Sequence, residues 1–163
     1  MQRMKRVFSF STKDITISAM VAALYTVLAF VFAPISFGPV QFRVSEALTL
    51  LPFCLPQTVP GLFVGCLISN IIGGFGIIDI VFGSAATLAA AIITAKMPNV
   101  WLAALPPVVV NALVVGFYIA ILSSTPIIPC MLYIGAGQAG VCFLIGVPLV
   151  TALQRSNFIK KYI

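Results

Sequence analysis

The sequence predicts an all-helical integral membrane protein, one membrane domain of six transmembrane helices. Three observations carry that expectation. Apolar residues make up 61% of the 163, charged residues only 7%, and mean hydropathy is +1.19. No aqueous surface can be built from such a chain. A span takes about 20 apolar residues, so the length holds five or six spans and leaves nothing for a soluble domain. Of the 9 Lys and Arg residues, all but Arg43 lie outside the apolar runs: Arg3, Lys5, Arg6 and Lys13, then Lys96, then Arg155, Lys160 and Lys161. With six spans these cations share one side, which the positive-inside bias makes cytoplasmic, together with both termini.

The first apolar run, residues 15–34, is too long for a signal-peptide core, and no A-x-A-like site follows it. Its basic entry makes it a first span. Ala19 and Ala23, with Ser18 and Ala22 beside them, offer a smooth face for close approach by another helix. Pro34 to Gln41 then breaks the chain with two prolines and a glycine. This apolar outer loop, carrying Phe37, suits a cover over a pocket. Arg43 ends it, and Glu46 falls in the first turn of a second span over residues 44–58, where the helix dipole favours an anion. The bland reading of Glu46 is a dipole-stabilised residue paired with Arg43. The prolines at 52, 56 and 60 force either a kink in that helix or a shallow hairpin with the next, and the kink is the expectation.

The third span, residues 60–73, ends at Asn70 and a glycine-rich turn with Phe75. The fourth, residues 77–96, carries Asp79 in its first outer turn, followed by Phe82. The fifth, residues 101–123, places Tyr118 toward the outside, and the sixth, residues 130–154, places Tyr133 and Gln138 in its outer half. Glu46 and Asp79 are two of only three acidic residues in the chain. A carboxylate in lipid is costly and marks a functional site with a partner. Glu46, Asn70, Asp79, Tyr118, Tyr133 and Gln138 share one outer depth while the inner half is apolar. That asymmetry suggests an outward-opening pocket, lined also by Arg43, Phe42 and Phe82, and not a pore, which needs polar residues along its whole length. Ionised carboxylates only accept hydrogen bonds, so the ligand should bring donors or positive charge on a flat ring.

The 4 cysteines form no CxxC and histidine is absent, so no metal is expected. No catalytic residue, cofactor or nucleic-acid partner is expected either. The basic ends read as anchors over anionic lipid. A GxxxxGK[ST] phosphate loop is missing, so ATP would have to be used by other subunits.

The QFRVSEALTLLP stretch, and the stretch from Gly73 through Asp79-Ile80-Val81-Phe82-Gly83-Ser84 to Ala91, resemble the QueT family. Its members are the substrate-binding (S) subunits of energy-coupling-factor (ECF) transporters for queuosine precursors. The resemblance runs from Ile15 to about Leu153. It implies a six-helix S-component bundle in a bacterial cell membrane. It further implies a 7-deazaguanine substrate such as preQ1 or preQ0, a membrane coupling subunit and two ATPase subunits as partners, and docking through Ala19 and Ala23. Three other readings stay open: an S subunit for another small vitamin-like heterocycle, an intramembrane enzyme in which Glu46 and Asp79 share a proton, and a stand-alone facilitator or membrane structural protein.

Overall fold

The computed structural model describes residues 11–36, 42–74 and 76–156. Among them every regular element is helical, as the absence of water in a bilayer core requires of single spans. Helix α1 (Thr12–Val31) starts at Ser11, whose side chain and that of Asp14 form a reciprocal capping box. A short helix α2 (Ala33–Ser36) follows. Next comes a 3-10 segment, Val44–Phe53, and a single 3-10 turn, Pro56–Thr58, which runs into α3 (Val59–Gly73). A π turn, Asp79–Gly83, opens α4 (Ser84–Thr94). The short α5 (Val100–Ala103) is capped by the Asn99 carboxamide and leads into α6 (Leu105–Leu122). Helix α7 (Ile127–Val141) continues through a second π turn, Cys142–Gly146, into α8 (Val147–Arg155).

Four continuous stretches are long and apolar enough to cross a membrane: Thr12–Val31, Pro56–Gly73, Val100–Leu122 and Ile127–Arg155. Val44–Phe53 and Asp79–Thr94 are apolar but shorter. Two of the six expected spans, the second and the fourth, thus fall short of that length, and the second is the shorter. At a rise of about 2 Å per residue, ten 3-10 residues cover roughly 20 Å, against a hydrocarbon core of roughly 30 Å.

The expected kink is replaced by a hairpin. Pro52 closes the 3-10 segment, and Leu55, at φ −130° and ψ 76°, breaks the helical path before Pro56 starts the next turn. The start of the segment lies beside the end of α3, because Arg43 hydrogen-bonds Asn70 at 3.1 Å. The two therefore run antiparallel, and nearly all of the 3-10 segment is buried within the bundle. Beyond Asn70, Gly74 takes φ +72° at the end of α3 and Gly76 takes φ +95°, a left-handed backbone that glycine adopts without steric cost.

Small residues set the closest approaches. A side chain at Gly61 would strike the Ser18 carbonyl, and a Cβ at Gly65 would lie 2.9 Å from both the Ala22 carbonyl oxygen and the Tyr25 Cβ. Helices α6 and α7 meet through Gly116, which faces Met131, and Gly135, which faces Ala112. We expect Gly65→Ala to cost about 1–3 kcal/mol of stability through overpacking. The gain of roughly 1 kcal/mol in helix propensity is too small to offset that. Thermal unfolding in detergent reads the result, and an unchanged midpoint would mean that α1 yields at this contact.

Candidate functional site

Six of the sequence-expected residues come together: Arg43, Glu46, Asn70, Asp79, Tyr118 and Gln138. All are buried, Glu46 to 1% exposure and Asp79 to 2%. Glu46 projects from the first turns of the 3-10 segment. Its Oε1 accepts from the Tyr25 hydroxyl of α1 and, at 3.5 Å, from the Thr87 hydroxyl of α4. Its Oε2 accepts from Gln138 Nε2 of α7 at 3.2 Å. Four elements thus converge on one carboxylate.

Asp79 sits in the π turn. Its Oδ1 accepts from the Tyr118 hydroxyl of α6, and its Oδ2 faces Arg43 Nη2 at 3.5 Å. Asn70 ties this half together. Its Oδ1 accepts from Arg43 Nη1 at 3.1 Å, and its Nδ2 donates to the Asp79 backbone carbonyl at 3.0 Å. The π turn explains why Gly83 is glycine. A Cβ there would lie 2.9 Å from Asn70 Nδ2, 3.3 Å from Asp79 Oδ1 and 3.4 Å from the Tyr118 hydroxyl. Such turns recur at functional sites because the extra residue re-aims the helix face.

Cys66 joins the two halves. Its sulfur lies 3.3 Å from Thr87 Oγ1, whose one proton it shares with Glu46, and accepts from Asn70 Nδ2 at 3.5 Å. This cysteine is a junction in the polar network. Cys142 behaves similarly, with Gln138 Nε2 at 3.8 Å from its sulfur.

Three placements differ from the sequence reading. Arg43 reaches Asp79 at 3.5 Å, while the side chains donating to Glu46 are the neutral Tyr25, Thr87 and Gln138. Phe82 is 53% exposed and Tyr133 60% exposed, so neither lines the cluster. Phe42 is half-buried with its ring over Gly140, where a Cβ would come within 3.0 Å of it. Phe37 and Phe75 lie outside the described residues. The sequence reading missed Tyr25, Cys66 and Thr87. Tyr25 carried a signal, since it continues the small-residue stripe Ser18–Ala22 and a buried tyrosine hydroxyl needs a partner.

Comparison with known proteins places this bundle. The QueT transporter profile matches residues 15–155. The chain belongs to the QueT transporter family. A curated relative, the queuosine precursor transporter QueT of Lactococcus lactis subsp. cremoris (strain MG1363), is 40% identical over 79 residues. The alignment covers 47% of this chain and 46% of the relative, so the match spans about half of each. No solved structure matches. Family and relative are both named as transporters, not enzymes.

Proposed function

We propose that this chain is the substrate-binding S subunit of an ECF-type importer for a queuosine precursor. In this reading it captures a 7-deazaguanine from outside and delivers it through a coupling subunit and two ATPase subunits, which spend the ATP. Family membership and the name of the relative support the substrate class. The observation that carries the site is the buried polar network around Glu46 and Asp79 in an otherwise apolar bundle. Its ionisable side chains comprise two carboxylates and one guanidinium, and Arg43 is committed to Asp79. Glu46 accepts from the neutral donors Tyr25, Thr87 and Gln138, which suits it to a donor-rich or cationic ligand group. A 7-deazaguanine has an N–H/NH₂ edge for a carboxylate acceptor, and an aminomethyl substituent would bring the positive charge.

The six-span topology with both termini cytoplasmic belongs to the same reading. It takes Val44–Phe53 and Asp79–Thr94 as short membrane helices. In a cysteine-free background, a single cysteine at Thr125 should react with an impermeant thiol reagent from outside, and one at Asn99 should not. The reverse pattern would put the Glu46 network on the wrong side for uptake.

Docking is assigned to α1. Ser18, Val21, Ala22, Tyr25 and Ala29 face the bundle, while Ala19 and Ala23 are exposed on the outer side. An exposed small-residue pair permits close backbone approach by a partner helix, and helices in lipid associate mainly by packing. Replacing both alanines with leucine should leave ligand binding by the isolated chain within about twofold and abolish uptake by the full complex. Persistent uptake would assign docking to another face.

The test of the whole reading is twofold. Isothermal titration of the purified chain with an aminomethyl 7-deazaguanine should show saturable binding. Reconstituted uptake of the same compound should require the ATPase subunits and ATP. Uptake by the chain alone in liposomes would make it a facilitator instead.

A further inference from the structure

The site is rich in acceptors, and its donors are largely spent within the protein. Tyr25 and Tyr118 give their hydroxyl protons to Glu46 and Asp79. Gln138 Nε2 is directed at Glu46 and Cys142, and Asn70 Nδ2 at Asp79 and Cys66. Both Nη groups of Arg43 are engaged, one by Asn70 and one by Asp79. A ligand edge that combines N–H donors with a carbonyl acceptor needs a donor in return.

Two hydroxyls answer that need. Ser45 and Ser84 are 0% and 1% exposed, and the Oγ of each has no hydrogen-bond partner. Several helical hydroxyls of this chain turn back to a backbone carbonyl, as Thr16, Thr26, Ser69 and Thr151 do, and Ser36 of α2 is a third buried hydroxyl without a partner. Leaving a buried hydroxyl unsatisfied is costly, so such groups are rare in folded proteins and call for an explanation. Their positions are not random. Ser45 immediately precedes Glu46 in the 3-10 segment. Ser84 follows Gly83, whose missing Cβ makes room for the Asn70, Asp79 and Tyr118 cluster. It also lies one helical turn before Thr87, which reaches Glu46.

We propose that Ser45 and Ser84 are specificity-determining donors that meet the carbonyl acceptor of an oxo-purine-like heterocycle, while the carboxylates meet its N–H edge. The assignment rests on the functional reading above and adds the recognition of the acceptor half of the ligand. It accounts for two of the three buried hydroxyls, Ser36 being the third, that have no hydrogen-bond partner among the described residues.

The test is a cycle of protein and ligand changes, read by isothermal titration on the purified full chain. The probes are an aminomethyl 7-deazaguanine and its 6-thioxo analogue, which keeps the ring N–H donors but replaces the carbonyl with a weak acceptor. The wild type should prefer the oxo compound by about five- to tenfold, the worth of one neutral hydrogen bond. Ser45→Ala and Ser84→Ala should each bind the oxo compound about three- to tenfold more weakly, and the oxo preference should shrink toward unity. The thermal midpoint of the ligand-free variants should not fall, because no internal hydrogen bond is lost. Equal weakening for both probes together with a lower midpoint would make the hydroxyls structural and overturn the proposal. Unchanged binding in one variant would overturn the assignment of that serine. Saturable binding of neither compound by the wild type would overturn the functional reading and this assignment together.

Discussion

Glu46→Gln should bind an aminomethyl 7-deazaguanine about 30- to 1,000-fold more weakly than the wild type. The substitution keeps the volume and replaces one acceptor oxygen with a donor. In the native site Oε1 takes the Tyr25 and Thr87 hydroxyls and Oε2 takes Gln138. A glutamine amide oxygen can still accept from Tyr25, but its NH₂ then faces the NH₂ of Gln138 or the ligand's own donors. Charge-assisted bonds are about twice as strong as neutral ones, and leaving the ligand's donors unpaired in a dry site costs about 2–4 kcal/mol. Folding should survive, because the side chain keeps its volume and its amide oxygen still accepts from Tyr25. Isothermal titration on monodisperse protein checks the figure. Unchanged affinity would reduce Glu46 to a structural acceptor for Tyr25 and Gln138 and move the ligand site to Asp79.

The residues of this network were legible because lipid makes them conspicuous. An arginine, two carboxylates and two amides in apolar helices must find partners, and Arg43, Glu46, Asp79, Asn70 and Gln138 found one another. What the sequence hid was rotation about the helix axis. Tyr133 and Gln138 are five residues apart, about 140° around an α-helix, so equal depth could not bring both to one face. Phe82 would share the Asp79 face in an α-helix, but the π turn inserts an extra residue and turns Gly83 inward in its place. Pairing was hidden too. Arg43 lies three residues before Glu46 in sequence, yet its side chain crosses to α3 and the π turn. Proximity along the chain was the wrong guide once the start of the 3-10 segment came beside Asn70 of α3. The second helix also escaped, because prolines at 52, 56 and 60 permit a kink or a break equally well. The Leu55 backbone, at φ −130° and ψ 76°, and the reach of Arg43 to Asn70 decide for the break.

The largest stability effect should come from Arg43. Arg43→Met removes one partner of an ion pair whose side chains are 8% and 2% exposed, and leaves Asp79 charged in an apolar bundle. Breaking a buried pair this way costs about 3–5 kcal/mol, more than the intact pair contributes, because the remaining charge has lost its compensation. Tyr118 still donates to Asp79 Oδ1, which softens the loss but cannot neutralise it. Asn70 Oδ1 also loses its donor, adding to the cost. The double variant Arg43→Met/Asp79→Asn should recover most of that stability, since no unpaired charge remains and the new amide can still accept from Tyr118. A thermal or denaturant series in detergent on the wild type, both single variants and the double isolates the coupling, expected at several kcal/mol between two contacting residues. Equal instability in the single and double variants would mean that Arg43 supports the fold through packing and the Asn70 bond, with its charge on Asp79 incidental.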